Sequence, residues 1–580
     1  LSLSIYRQAN KNQGEKNMIK FEQKTLRCMI NRSVLLFGSA PSLSFVNEEP
    51  LSYLELGQQV KQVSEELKKN GISKGERVAI LGENSPHWGI AYLAITTMGA
   101  IAVPILPNFH ESEIHHIIRN SGAKVLFVSK KLAQKTEEPE IGDLKTIIYL
   151  DEFKVKSPSY KTDFISEIIR RSPIDLNKLR DAAKQLFSPS EEIVNEEDLA
   201  VIIYTSGTTG HSKGVMLTHK NLVTNLISIS EVITFKPDDR FLSILPLSHT
   251  MESTCGFLTP LACGSSIQYL KQAPTAGILL PALKKVRPTV IVSVPLILEK
   301  IYKKKILGEI NSKKITRAIY RTSFGRKKLN QIAGKKLYKI FGGNLRSVFI
   351  GGAPFGPEAE RFLIEGKFPY ACGYGLTETS PLLTGTVTDV RFQSVGPAIM
   401  DVEIKIVDPD AESSIGEIYA RGPNIMKGYY NDPERTVEVF SPDGWFKTGD
   451  RGYLDQDGYL FIKGRSKNMI LGPSGENIYP EEIEAKLNES EYVSESLVYE
   501  KDKRIVARIH LDYETLDKEF KMEKLSGSES HQRVEQLLID IKKQVNANVS
   551  DFSRIHDIIE QQEPFEKTPT QKIKRYLYTD

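Results

Sequence analysis

A run of glycines and small hydroxyl residues, Tyr204-Thr-Ser-Gly-Thr-Thr-Gly210, follows the apolar segment Val201-Ile-Ile and leads into His211-Ser212-Lys213-Gly214. Glycines allow positive φ and close backbone approach. Hydroxyls and free N–H groups in such a turn cradle oxyanions, and Lys213 adds positive charge. This is phosphate-binding chemistry, but it is not the Walker arrangement, because Ser212 precedes Lys213 and Gly214 follows it. Further along, Glu378 in Gly373-Tyr-Gly-Leu-Thr-Glu-Thr379 is a hard oxygen ligand of the kind Mg²⁺ takes. Near the C-terminus, Lys567, Lys572 and Lys574 are cations able to stabilise charge that develops in a transition state.

The run Tyr204-Thr-Ser-Gly-Thr-Thr-Gly-His-Ser-Lys-Gly214 resembles the signature loop of the adenylate-forming enzymes, which include acyl-CoA synthetases, luciferases and peptide-synthetase adenylation domains. Four more stretches resemble that family's motifs in order: Gly373–Thr379, Gly444–Asp450, Lys463–Lys467 and Thr568–Lys574. The resemblance implies that Thr205, Ser206, Gly207, Thr208 and Thr209 wrap the β- and γ-phosphates of ATP. It implies that Glu378 and the Thr205 hydroxyl hold Mg²⁺, and that Tyr374, Gly375 and Thr377 belong to the adenine and magnesium motif. Gly351-Gly352-Ala353-Pro354 would let a flat purine lie against backbone, with Tyr374 stacked opposite. Asp450 would accept both ribose hydroxyls, and Arg465 would complete that contact. Lys572 is implied as the adenylation lysine. Gln571 stands where the family usually has Gly, so Lys574 and Lys567 remain competitors.

The implied reaction joins a carboxylate to the α-phosphate of ATP and then hands the acyl group to a thiol. Pro246-Leu-Ser-His-Thr-Met251 resembles the acyl-pocket motif of acyl-CoA synthetases, with His249 at the reactive end. Val294–Tyr302 and the basic stretch after it resemble the long-chain fatty acid branch. Coenzyme A is the expected acceptor, and acyl carrier protein is the alternative. The loop around Gly475 resembles the segment that nears the acyl site in the thioester-forming conformation, and Lys467 resembles the pivot between the two conformations. Two other readings use the same motifs. A luciferase-like oxygenase would consume oxygen; a non-catalytic scaffold would be expected to lack Lys572 or Glu378, and both are present.

The elements that must position these residues are legible from hydrophobic periodicity. Leu51–Ile72 and Glu111–Ala123 have helical spacing, His87–Ala100 reads as helix, and Arg77–Leu81, Ile101–Leu106, Lys124–Ser129 and Asp198–Thr205 read as strands. Such alternation predicts a parallel sheet flanked by helices. The fold that the resemblance implies is a large N-terminal α/β body of several sheets over residues 18–463, with a small α+β lid over 464–580 hinged at Lys463–Lys467. Residues 1–17 are polar and lack an apolar signal core, so they read as a disordered leader or a start-site artefact. Glu152–Glu196 reads as a helical surface insertion or linker.

Composition narrows the remaining classes. The chain has 580 residues, 40% hydrophobic and 26% charged, with net charge +4, which suits a globular enzyme and argues against nucleic-acid binding. The four cysteines form no CxxC pair, which fits a reducing, cytoplasmic compartment. From Lys300 to Arg346 the sole acidic residue is Glu309. That stretch reads as a solvated helical hairpin, or as a surface for anionic membrane lipid or an acidic carrier.

Overall fold

The computed structural model describes residues 19–137, 142–155, 193–205, 212–472, 476–521, 525–568 and 572–579. The leader 1–17, most of the insertion 152–196, the loop residues Ser206–Thr209, Gly475 and Gln571 lie outside them.

Among the described residues, two large sheets dominate. One runs in space through Gly428–Tyr429, Lys213–Thr218, Leu199–Thr205, Ile101–Ile105, Arg77–Leu81, Val125–Val128, Thr146–Tyr149 and Lys154–Val155. Its centre is parallel, and both of its edges are antiparallel. The other runs through Leu43–Phe45, Ser266–Tyr269, Arg240–Ser243, Val290–Ser293, Ser347–Ile350, Tyr370–Gly375 and Leu382–Thr386, and is parallel except for its last pair.

Strand alternation sorts the core into layers. On the first sheet Val78 and Ile80 face one cluster, while Ala79 and Leu81 face another. Both faces are covered, so these strands read as unbroken apolar runs. The first cluster also takes Phe241, Ile267 and Val290 from the second sheet, which makes it the layer shared between the sheets. Helices Tyr53–Lys69 and Pro86–Thr97 contribute to that layer. Pro86–Thr97 is buried all round, which is why its sequence shows no polar face. Tyr53–Lys69 is amphipathic and starts at a capping box in which Ser52 and Glu55 bond reciprocally.

Two smaller sheets complete the frame. Glu403–Val407, Gly416–Arg421, Phe446–Leu454 and Leu460–Arg465 form a four-stranded antiparallel sheet. Beyond it, Val493–Lys501, Arg504–Leu511 and Asp557–Glu560 pack with helices Pro480–Leu487 and Gly527–Asn546 around a separate core running from Ile470 to Ile555. No helix among the described residues is long and apolar enough to cross a membrane.

The basic stretch is helical, ending in Lys314–Tyr320 and Ser323–Ile340. Ser323–Ile340 lies against Pro357–Glu365 at Gly334, where an added Cβ would stand 2.3 Å from the Gly366 carbonyl oxygen. Helix propensity alone favours Gly334→Ala by about 0.8–1 kcal/mol. The backbone clash outweighs this, so the variant is expected to lose about 1–3 kcal/mol. Urea unfolding checks it; an unchanged or raised midpoint would show that the two helices are not in contact here.

Candidate active site

Residues singled out by sequence line one cleft, among them Thr205, Lys213, His249, Gly352, Ala353, Tyr374, Gly375, Thr377, Glu378, Asp450, Arg465, Lys467 and Lys572, and the competing Lys567 and Lys574 line it as well. They arrive from strand ends and the turns after them. Thr205 closes one strand and Lys213 opens the next, and the two are direct register partners on antiparallel strands. The Thr205 hydroxyl is buried and has no hydrogen-bond partner among the described residues, and the same holds for Ser212 on the other side of the loop. Gly352 takes φ +84° directly after the strand Ser347–Ile350, a conformation that favours glycine.

Glu378 sits in a short turn after the strand Tyr370–Gly375 and is 9% exposed. Burial pushes its pKa up, but Lys213 at 2.9 Å overcomes this and the carboxyl lies below its ordinary range. Tyr429, absent from the sequence reading, binds both partners. Its hydroxyl donates to Glu378 Oε1 at 2.9 Å and accepts from Lys213 Nζ at 2.6 Å. An ionised hard carboxylate and a hydroxyl without a partner among the described residues, both lining this cleft, are donors of the kind Mg²⁺ takes.

Asp450 and Arg465 are register partners on adjacent strands, joined Nε to Oδ1 at 2.8 Å. Tyr374 donates to the other carboxylate oxygen at 2.5 Å, and its ring packs with Leu383, Ile399 and Leu460. Tyr374 therefore positions Asp450 as well as lining the cleft. Desolvation raises the Asp450 pKa, with Arg465 and Tyr374 pulling against it.

The three C-terminal lysines separate by their surroundings. Lys567 pairs with Glu495 and Lys574 with Glu566. Lys572 extends from a turn in which its N–H donates to the Thr568 hydroxyl. Desolvation within the cleft and then Arg465 lower its pKa, while Asp450 and Glu378 oppose them. Lys467 is lowered likewise by desolvation, then by Arg465, Lys213 and Lys572. Lys213, Arg465, Lys467 and Lys572 thus gather near Glu378 and Asp450, and this part of the cleft suits a polyanion.

His249 is held neutral, its pKa pulled to about 4 by desolvation and then by Lys572. Its Nδ1 accepts from the Met251 N–H at 3.2 Å, which leaves Nε2–H as the donor. The loop that carries it is clamped by Asn84, which sequence reading also missed. Asn84 donates to Ser243 Oγ at 2.9 Å and to Leu245 O at 2.5 Å, and accepts from Leu247 N–H at 2.8 Å. The Ser243 hydroxyl in turn donates a hydrogen bond to Glu252 Oε1 at 2.6 Å, on a π-helical turn over Glu252–Leu258. No motif marks Asn84 or Tyr429, because their partners lie far away in sequence.

Comparison with known proteins agrees with this geometry. A family model described as AMP-binding enzyme matches residues 31–430. The chain is an AMP-binding enzyme. It is 30% identical over 479 residues to a long-chain-fatty-acid–CoA ligase of Schizosaccharomyces pombe, covering 77% of this chain and 70% of the relative. It is 27% identical to a chloroplastic long-chain-fatty-acid–[acyl-carrier-protein] ligase of Arabidopsis thaliana, covering 79% and 72%. The crystal structure of an anthranilate CoA ligase with anthranoyl-AMP superposes at TM-score 0.73 and 20% identity, over 95% of this chain and 96% of that one, which speaks for the fold. The chain therefore shares the adenylate-forming architecture of a large α/β body followed by a smaller C-terminal unit, and belongs with the acyl- and aryl-CoA ligases.

Glu252 gives this AMP-binding enzyme a pH signature. Burial raises its pKa to about 8, with the Ser243 hydrogen bond opposing, from an ordinary value of 4.5. The folded state therefore holds a proton that the unfolded chain releases between pH 4.5 and 8. Stability contributed by that proton is full below pH 4.5 and lost as pH rises to about 8, with a slope approaching about 1.4 kcal/mol per pH unit. Glu252→Gln is expected to remove this component. Urea unfolding of both proteins at several pH values checks it; identical pH slopes would mean that Glu252 ionises freely when folded.

Proposed function

We propose that this enzyme activates a fatty acid as acyl-AMP, releasing pyrophosphate, and then forms the acyl-CoA thioester. The observation that carries the reading is an apolar part of the wall of the same cleft that His249 lines. Ile229, Leu245, Met251, Cys255, Phe349 and Leu382 all line the cleft and pack as one cluster. An apolar acid needs such a pocket, with polar groups confined to its reacting end.

The substrate carboxylate oxygen bonds to the α-phosphorus of ATP, and the bond to the bridging oxygen of pyrophosphate breaks. Thr205 and the loop Ser206–Thr209 hold the β- and γ-phosphates, with Lys213 beside them. Glu378 and Thr205 are the residues that would hold Mg²⁺, which neutralises phosphate charge when bound. Gly352, Ala353, Tyr374, Gly375 and Thr377 take the adenine side, and Asp450 with Arg465 takes the ribose. Lys572 stabilises charge on the α-phosphate and carboxylate as the bond forms. His249 donates from Nε2 at the acyl end. In the second step the thiol sulfur bonds to the acyl carbon and AMP departs.

Residues 464–580 act as a mobile lid in this reading. Lys467 is the pivot, at the turn Ser466–Asn468 that follows the Asp450–Arg465 ladder. Rotation there would exchange Lys572 for the Gly475 loop. A second reading, acyl carrier protein as the acceptor, is favoured by the basic stretch 300–346 and by the Arabidopsis relative, a ligase for acyl carrier protein.

Pyrophosphate release across fatty and aryl acids of graded size, with coenzyme A and with carrier protein, tests the substrate. Highest kcat/KM with a long-chain acid and coenzyme A is expected; preference for an aryl acid or for carrier protein would replace the reading. In the same assay Lys572→Ala should slow adenylation by roughly 10²–10³-fold and spare thioester formation from supplied acyl-AMP. Near-normal pyrophosphate release by the variant would move the role to Lys574 or Lys567.

A further inference from the structure

The corner formed by helices Lys314–Tyr320 and Ser323–Ile340 carries an unusual combination of side chains. Between Lys313 and Lys339 there are ten Lys and Arg and no Asp or Glu. Among the described residues, two of the ten form ion pairs: Arg326 with Glu365 and Lys336 with Glu309. Among these charges stand large apolar side chains facing solvent. Ile315 and Phe324 are each 75% exposed, Ile332 is 57% exposed and Ile319 is 43% exposed.

Helical spacing groups them. Ile315 and Ile319 are four residues apart and share a face. On the second helix Phe324, Lys328, Ile332, Lys335 and Lys339 follow one another at steps of three and four and are all exposed, so one outward stripe alternates apolar and basic residues. Lys328 Nζ lies 5.8 Å from the Phe324 ring centre. The inward face is fixed: Gly325, Asn330, Gly334 and Leu337 are buried, and Asn330 donates to Glu365 at 2.7 Å. The stripe is therefore a held platform. Tyr320, at the end of the first helix, also lines the active-site cleft, together with Leu307 and Gly308, so the platform adjoins the cleft.

We propose that this platform docks the enzyme on an anionic lipid bilayer. Basic side chains attract anionic headgroups. Exposed aromatic and aliphatic side chains set among them enter the headgroup–acyl boundary, as on helices that lie in the membrane interface. The apolar members decide the source of the negative charge. An acidic protein would answer the lysines and arginines, but it would leave Phe324 and Ile315 without a partner of their own kind. On the proposed fatty-acid reading, docking brings the cleft to the surface where amphiphilic acids partition, but the docking itself does not depend on that reading.

Co-sedimentation of the full chain with vesicles tests this without using activity. Phosphatidylcholine vesicles containing phosphatidylglycerol should bind the enzyme at least tenfold more tightly than vesicles of phosphatidylcholine alone, and rising salt should weaken that binding. Lys327→Glu with Lys328→Glu should abolish the preference for anionic vesicles. Ile315→Ser with Phe324→Ser should weaken binding several-fold while leaving the salt dependence in place. Thermal unfolding of both variants should match wild type, since all four side chains are exposed. Equal binding to neutral and anionic vesicles, or no binding to either, overturns the proposal. So does binding that survives both pairs of substitutions, or a purified acidic carrier protein that needs Lys327 and Lys328 while vesicles do not.

Discussion

Glu378 is a carboxylate taken almost wholly out of water, and Lys213 and Tyr429 are what keep it ionised there. Removing one partner from such a buried pair costs about 3–5 kcal/mol, because the other charge is left uncompensated. The three residues come from three places. Lys213 opens a strand of one large sheet, Glu378 follows a strand of the other, and Tyr429 pairs across to Val215. The ion pair is therefore also a joint. It fixes the distance between two sheet edges and, with it, the width of the cleft between them. Met426 N–H reinforces the joint by donating to the Glu378 carbonyl at 2.9 Å.

From that joint the rest of the cleft follows by short lever arms. Thr205 and Lys213 face each other because their strands pair antiparallel, and Asp450 and Arg465 face each other for the same reason on the smaller antiparallel sheet. Adjacent strands put register partners about 5 Å apart, so four of the polar groups are placed by backbone hydrogen bonding. Lys572 comes from the C-terminal unit and depends on how that unit sits. In this arrangement Lys303 donates to the Asn488 carbonyl and Lys304 lies 3.3 Å from Glu514, which ties the basic helix to the C-terminal unit. Desolvation and then Arg465 make Lys572 costly to hold charged until an anion enters, and the same two causes, with Lys213 and Lys572 added, lower the pKa of Lys467.

Much of this was legible in the sequence. Strands buried on both faces appear as apolar runs, and Ser52 with Glu55 announces a helix start. Glycine-rich turns after strands stand out in sequence, so the positions of Thr205, Gly352 and Glu378 along the cleft could be read directly. The supporting residues could not. Asn84 reaches Ser243 across 159 positions, and Tyr429 reaches Glu378 across 51. Such contacts depend on how sheets are stacked, which local spacing does not encode. The substrate is hard to read for a related reason. Apolar side chains lining a cleft suit a fatty chain or an aromatic ring, and what separates the two is the cleft's depth and shape.

The chemistry common to these readings is attack of a carboxylate oxygen on the α-phosphorus of ATP. A carboxylic acid substrate labelled with ¹⁸O in both carboxyl oxygens, incubated with enzyme, ATP, Mg²⁺ and coenzyme A, traces that oxygen. If acyl-AMP is the intermediate, the oxygen bridging carbon and phosphorus stays with phosphorus when the thiol displaces it, so mass spectrometry should find one ¹⁸O in the phosphate of AMP. Label in inorganic phosphate, with ADP as the nucleotide product, would instead mean attack at the γ-phosphorus and would contradict the assignment of the cleft.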